Sequence, residues 1–231
     1  MFKIALTAGH YLGTPGKRCL KKLDPKETKE WVLNDRIADK VEKLLADYEG
    51  YVLIRTDDTT GKKDIGLTAR TNAANNFKAD FYLSIHHNAG VDGGAGGGIV
   101  AFVYTKVGKE TLEWQKDLYN SLIAKTGLKG NRSNPMPKSN LHEVRETKMP
   151  AVLLELGFMD SKTDVPIILT EDYANKCAEA IVEVLVKRGK LTKKPTEKKI
   201  YRVQVGAFSK KENAEKMAIA LKNDGYDAII V

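Results

Sequence analysis

Four histidines are the residues of this sequence best suited to bind a metal ion or to move a proton near neutral pH. His10 comes just after the apolar run 2–6, which is typical of a strand, and chains leaving a sheet edge often form a ligand crevice. His86 and His87 stand together at the end of another apolar run, and His142 lies in a predicted loop. Because successive side chains on a strand point to opposite faces, we expect only one of the adjacent pair to enter a given site.

Two glutamates stand in apolar surroundings, where an unpaired charge is costly. Glu30 is at the leading edge of a helical apolar stripe, and Glu155 ends the apolar run 151–154. Two histidines and one glutamate around an open position are a known set of catalytic zinc ligands, and a further glutamate can act as general base for water. The residues alone leave other interpretations open. Glu30 could stabilise the first turn of its helix, Glu155 could be a buried salt-bridge partner, and no HExxH motif is present.

Strand and helix patterns alternate along the first 188 residues. Short apolar runs predict strands at 2–6, 51–54, 81–85, 99–104 and 151–154. Apolar positions at helical spacing predict helices at 30–48, 114–122 and 173–186. This alternation favours an α/β fold in which helices cover both faces of a sheet.

The last 43 residues differ in character from the rest. Residues 189–199 are polar, charged and interrupted by a proline, as in a linker. Beyond them, 200–205 and 226–231 are typical of strands, and between these lies an apolar stripe at helical spacing that follows a capping-box pattern at 209–212. The predicted regions are a main domain at 1–188, a basic linker at 189–199 and a small β-α-β unit at 200–231.

Charge and cysteine content limit the classes of function. The net charge of +8 and pI of about 9.2 predict an acidic partner or surface, such as nucleic acid, anionic lipid or teichoic acid. Aromatic residues make up 7% and no nucleic-acid signature is found, so we expect no nucleic-acid partner. Cys19 and Cys177 are predicted to be free thiols. The sequence begins without the apolar run of a signal peptide and has no stretch of membrane-spanning length, so we expect cytoplasmic synthesis and no membrane insertion.

Five segments occur in the order found in one known family. They are Ala8-Gly9-His10, 29–34 (KEWVLN), 67–75 (LTARTNAAN), 84–88 (SIHHN) and 150–158 (PAVLLELGF). Over residues 1–188 the chain resembles the zinc-dependent N-acetylmuramoyl-L-alanine amidases of the family 3 type. The resemblance implies a mixed sheet flanked by helices on both faces, Zn²⁺ as cofactor, and hydrolysis of the amide bond between N-acetylmuramic acid and L-alanine in peptidoglycan. Sporulation mother-cell autolysins and phage endolysins are similar, and the resemblance implies action on the wall after release.

The same resemblance implies roles for individual residues. The implied zinc ligands are His10, Glu30 and His86. Glu155 is the implied catalytic residue, which takes a proton from water and passes it to the departing nitrogen. Asn88, His142 and Arg145 lie near the motifs and are candidates for binding substrate, although each could equally be structural.

The sequence departs from the family pattern at two places. Thr7-Ala8 precede Gly9-His10 where the family commonly has Asp-Pro, and His87 stands where a small residue is usual. Glu27 competes with Glu30 as the ligand of the second motif. Asn34, four residues after Glu30, matches the family spacing only if Glu30 is the ligand.

The segments 201–208 and 225–231 resemble a sporulation-related (SPOR-like) peptidoglycan-binding repeat. One copy is about half of a complete binding domain. We therefore expect it to bind peptidoglycan and anionic wall polymers and to pair with a second chain as a homodimer. The alternatives are a repeat that continues beyond this sequence and a loosely folded basic tail. For the whole chain, two functions other than that of an amidase stay open. It could be another zinc-dependent cell-wall peptidase, or a non-enzymatic basic wall-binding protein.

Overall fold

A six-stranded sheet forms the centre of the computed structural model, which describes residues 1–195 and 203–230. The strands are β1 (Phe2–Ala8), β2 (Tyr48–Glu49), β3 (Tyr51–Arg55), β4 (Phe81–Asn88), β5 (Ile99–Tyr104), β6 (Lys138–Ser139), β7 (Ala151–Phe158) and β8 (Thr192–Lys193). The helices are α1 (Glu30–Leu45), α2 (Leu67–Phe77), α3 (Lys109–Thr126), α4 (His142–Arg145), α5 (Val165–Ile168), α6 (Glu171–Gly189) and α7 (Lys211–Asn223). The chain divides into two units, Met1–Lys194 and Pro195–Val231.

The sheet is mixed, with the strand order β3-β1-β4-β7-β5-β6. Strands β3, β1, β4 and β7 run parallel to one another, whereas β5 runs antiparallel to β7. The carboxyl ends of β1, β4 and β7 therefore meet at one edge of the sheet, where ligand sites of open α/β sheets lie. The predicted α/β fold with a mixed sheet is confirmed.

Helices cover both faces of the sheet, and β4 shows how the sequence divides between them. Its odd-numbered residues Phe81, Leu83 and Ile85 belong to the larger core, which includes residues of α1, α3 and α6. Its even-numbered Tyr82 belongs to a second core that includes residues of α2 and α4. A strand buried on both faces has few polar residues. The polar side chains that it does contain are therefore candidates for a functional site or for a buried hydrogen-bond network.

Several short or polar elements lie outside the sequence predictions. Helix α2 buries only Arg70, Thr71 and Ala74, so it has almost no apolar stripe to reveal it. Helix α3 begins at Lys109, five residues before the predicted start. The prediction missed its first turn because that turn is mostly polar and continues no apolar stripe. Helix α1 ends at Leu45 rather than at residue 48, since β2 pairs there with β8.

The described residues of the second unit form the predicted helix but no strand. Residues 203–208 and 226–230 form no strand, and the rest of the two predicted strands, 200–202 and 231, lies outside the described residues. A strand needs a hydrogen-bonded neighbour, and α7 offers no core for one to pack on because none of its residues is buried. The capping-box prediction is also wrong, because the N-cap of α7 is Lys210 and makes no side-chain cap hydrogen bond.

The predicted linker begins inside the first unit. Leu191 is buried, and β8 at Thr192–Lys193 pairs with β2. The Lys194 amide donates to the Asp47 carbonyl over 2.8 Å. Among the described residues, no helix is long and apolar enough to cross a membrane.

Candidate metal centre

Two histidines and a glutamate converge at the carboxyl edge of the sheet. His10 follows β1, His86 lies near the end of β4, and Glu30 is the first residue of α1. Each offers one ligand atom, and these atoms lie within 4.8 Å of one another. Among the described residues, this trio is the group of side chains placed to hold a metal ion.

Glu30 joins the two histidine rings. Its side chain is 1% exposed, its Oε1 lies 3.1 Å from His86 Nδ1, and its Oε2 lies 3.3 Å from His10 Nε2. Oε2 finds no hydrogen-bond partner among the described residues, and the half-exposed Lys17 Nζ lies 3.7 Å from it. A buried carboxylate that faces one imidazole nitrogen with each of its oxygens, and whose Oε2 has no hydrogen bond among the described residues, fits the ligand chemistry of zinc.

The backbone around His10 is held by two buried polar side chains. His10 has a positive φ of 67°, an unfavourable conformation for a residue with a side chain. Arg70 donates to the Ala8 carbonyl over 2.6 Å and to the His10 carbonyl over 2.8 Å, while Asn34 donates to the Gly9 carbonyl over 3.1 Å. A Cβ on Gly9 would lie 2.1 Å from the His86 ring, so only glycine lets this ring approach the loop.

His86 and His87 point to opposite faces of the sheet, as the alternation of side chains predicts. His87 is buried on the α1 side, where its Nδ1 lies 2.8 Å from Asn34 Oδ1. Its imidazole is outside the converging trio, although its backbone amide donates to Glu30 Oε1 over 3.2 Å. Burial lowers the pKa of His87 to about 3, so this ring stays neutral.

The electrostatics of the trio favour a positive charge at its centre. Burial lowers the pKa of His10 to about 4, which keeps this ring neutral and able to donate a lone pair. Burial opposes ionisation of Glu30, but its hydrogen bond with His86 and the charges of His86, His10 and Lys17 lower its pKa below the ordinary value. A neutral His10 beside an ionised Glu30 is the protonation state that metal binding requires. Burial disfavours a charge on His86, but its hydrogen bonds with Glu143 and Glu30 and the charges of both carboxylates raise its pKa to about 10, so a metal ion that binds this ring replaces a proton.

Glu155 lies next to the trio on the neighbouring strand. It is the register partner of His86 across the parallel pair β4–β7, so both side chains lie on the same face. Burial raises the pKa of Glu155 to about 7, and its Oε2 is buried without a hydrogen-bond partner among the described residues. A carboxyl group with a pKa near neutrality can take and return a proton during a reaction.

A second buried glutamate is absent from the sequence predictions. Glu143 in α4 is 4% exposed, and its carboxylate lies 3.3 Å from His86 Nε2. Its signal in the sequence is the alternation of Tyr82, Ser84 and His86, three polar side chains on one face of an otherwise apolar strand. Such a polar row predicts a buried polar partner from another element.

The three candidate substrate residues make local hydrogen bonds. Asn88 Oδ1 accepts from the Ala89 amide, and His142 Nε2 lies 3.4 Å from Thr71 Oγ1. Arg145 donates to Glu146 and to Asn140. All three are partly exposed and outside the metal trio, so their contact with substrate stays a prediction.

A three-residue set that could hold a metal ion, beside a carboxyl group with a raised pKa, is an arrangement typical of metal-dependent hydrolases. The model of one family, described as N-acetylmuramoyl-L-alanine amidase (Amidase_3), matches residues 4–187, and the model of the SPOR domain matches residues 177–231. The chain belongs to the N-acetylmuramoyl-L-alanine amidase family, and it is a hydrolase of peptidoglycan.

Curated relatives agree with this assignment. The chain is 32% identical to the sporulation-specific N-acetylmuramoyl-L-alanine amidase of Bacillus subtilis (strain 168), over 100% of this chain and 85% of that protein. It is 33% identical to the amidase CwlM of Bacillus licheniformis, over 81% of this chain and 70% of the relative. The endolysin of Bacillus phage SPP1 is 30% identical over 69% of this chain and 58% of that protein.

Solved structures share the fold of the first unit. The catalytic domain of CwlV, an amidase from Bacillus (Paenibacillus) polymyxa var. colistinus, superposes with a TM-score of 0.72 at 24% identity. The superposition covers 83% of this chain and 100% of the CwlV domain. At this identity the similarity establishes the fold, and the site is argued from the residues of this chain.

Proposed function

We propose that His10, Glu30 and His86 hold a zinc ion and that this centre hydrolyses the amide between N-acetylmuramic acid and L-alanine. The observation that carries the proposal is the meeting of three metal-ligating side chains at one sheet edge, with Glu155 on the adjacent strand. Zinc bound there would lower the pKa of a water molecule and polarise the scissile carbonyl. Three protein ligands leave a coordination position open, as catalytic zinc sites require.

The proton transfers belong to Glu155 in this proposal. As a carboxylate it takes a proton from the attacking water, and as a carboxylic acid it protonates the departing alanine nitrogen. Burial favours the neutral acid, whereas a cation held by His86 on the next strand would favour the carboxylate. These opposing effects allow one side chain to serve in both steps.

Removal of the metal should abolish activity. We expect a chelator to stop the release of stem peptides from purified peptidoglycan and added Zn²⁺ to restore it, because the zinc ion that the three ligands would hold is the proposed Lewis acid. Metal analysis of the active protein should give one zinc per chain. Full turnover by protein shown to be stripped of metal would contradict the proposal.

Asn88, His142 and Arg145 are proposed to contact the glycan or stem peptide. They are partly exposed, and Asn88 lies at the same end of β4 as His86. Substitution of a residue that only binds substrate raises KM and leaves kcat nearly unchanged. Such a split would support a binding role for each of the three.

We propose that the second unit binds the cell wall, with the SPOR match as support. Because residues 191–194 pack on the first unit, the chain should be cut after Lys194 to test this. The truncated protein should sediment less with insoluble walls and cleave small soluble fragments at nearly the full rate. Equal wall binding by both forms would show that the second unit is dispensable for targeting.

Charge contributes to wall binding through the whole chain. Residues 195–231 contain seven Lys/Arg and five Asp/Glu, a net +2 out of +8, so most of the excess positive charge lies on the first unit. Salt should therefore weaken the wall binding of both the full and the truncated protein. A remaining difference between them at high salt would measure recognition by the SPOR unit itself.

A second copy of the chain is the proposed partner of the SPOR unit. Within this unit Val203, Val205, Ile219 and Ile229 are exposed, and pairing of two copies would cover such side chains. Full-length protein should then be dimeric in analytical ultracentrifugation, whereas protein cut after Lys194 should be monomeric. A full-length protein that stays monomeric at high concentration would contradict the dimer.

A further inference from the structure

The carboxylate of Glu143 is surrounded by three polar side chains of one strand. Its Oε1 accepts from the Tyr82 hydroxyl over 2.6 Å, and its Oε2 accepts from the Ser84 hydroxyl over 3.2 Å. The same Oε2 lies 3.3 Å from His86 Nε2. Tyr82, Ser84 and His86 occupy every second position of β4, so they share one face, and α4 packs against that side of the sheet.

The two nitrogens of His86 therefore face two different carboxylates. Nδ1 lies 3.1 Å from Glu30 Oε1, on the side of the trio, and Nε2 faces Glu143. An imidazole that binds a metal through Nδ1 carries its proton on Nε2, and this proton needs an acceptor when the ring is buried. Glu143 Oε2 is the acceptor at that position.

Glu143 is not itself a member of the metal set. Among the described residues the converging ligand atoms belong to His10, Glu30 and His86. The carboxylate of Glu143 meets His86 through the nitrogen that faces away from Glu30, and its oxygens are already occupied by Tyr82 and Ser84. Its contacts are those of a group that orients the ring.

We propose that Glu143 is a positioning residue that fixes the rotation and the tautomer of His86, so that Nδ1 is presented to the zinc ion. The inference rests on the proposed zinc site. A carboxylate bonded to a metal-binding histidine typically strengthens metal affinity by about 10–100-fold. Tyr82 and Ser84 precede His86 on the same face of β4, and their hydrogen bonds hold the carboxylate in place.

The test compares zinc affinities of the full-length protein and two variants, measured by competition with a chromogenic chelator. Glu143→Gln keeps the size of the side chain and removes its charge, and it should weaken zinc binding by about 10–100-fold. Glu146→Gln is the matched control, since Glu146 is exposed on the neighbouring turn and pairs with Arg145. It should leave the affinity unchanged.

The outcomes separate the two proposals. Wild-type protein that binds no zinc would overturn the proposed function, whereas equal zinc affinity of wild type and Glu143→Gln would overturn only the role of Glu143. A second measurement needs no variant: ¹⁵N NMR of zinc-loaded wild-type protein should show the His86 proton on Nε2. A proton on Nδ1 with Nε2 bound to the metal would contradict the inference.

Discussion

Substitution of Glu155 by glutamine is expected to lower kcat by about 10²–10⁴-fold while zinc stays bound. Glutamine has nearly the same shape and can neither take a proton from water nor protonate the departing nitrogen. The fold should be retained, because Glu155 Oε2 makes no hydrogen bond among the described residues that the substitution would break. The effect should fall on turnover rather than on binding of substrate.

Two measurements are needed on this variant: the rate of stem-peptide release and the zinc content. Glu183→Gln is a suitable control, since Glu183 is exposed on α6 and pairs only with Lys125 among the described residues. It should show wild-type turnover and zinc content. Loss of zinc from Glu155→Gln would mean that Glu155 is a metal ligand, and the roles assigned to the two glutamates would be wrong.

Substitution of His86 by alanine is expected to abolish stable zinc binding and with it activity. The substitution removes one of three protein ligands. The loss of zinc affinity should therefore be larger than the loss of about 10–100-fold that follows removal of a ligand's hydrogen-bond partner. The substitution also leaves the ionised Glu30 and Glu143 without the imidazole that bonds to both. Zinc content after dialysis, with far-UV circular dichroism as a check of the fold, measures the effect.

The adjacent histidine provides the control for this experiment. His87→Ala should retain one zinc per chain because the His87 ring bonds to Asn34 on the other face of the sheet. It should nevertheless destabilise the protein, by about 1–3 kcal/mol, since Asn34 Oδ1 loses its buried partner. Loss of zinc from His87→Ala alone, with His86→Ala still loaded, would reverse the assignment of the two residues.

The parts of this site that the sequence predicts are those with a strong local pattern. Apolar runs locate β1, β4 and β7, and parallel pairing of these strands then brings their carboxyl ends together. The two-residue period of a strand separates His86 from His87. The choice of Glu30 over Glu27 depends on the resemblance to the family, because both glutamates lie near the start of α1.

The parts that could not be predicted depend on contacts between residues far apart in the chain. Glu143 lies 57 residues after His86 in the sequence, and it contacts β4 only because α4 packs over that strand. Arg70 reaches the loop at His10 from a helix with almost no apolar stripe. In the second unit the residue patterns predict strands at 200–205 and 226–231, but their described residues, 203–205 and 226–230, form none, because a strand forms only where a partner strand is present.

Analysis of the products released from purified peptidoglycan tests the central claim most directly. After digestion, new amino termini are labelled and the fragments are identified by mass spectrometry. An amidase that acts at the lactyl amide frees whole stem peptides, so every new amino terminus should be L-alanine and the glycan should keep its free lactyl groups. New amino termini at residues within the stem, with L-alanine still joined to the glycan, would identify a peptidase and contradict the account.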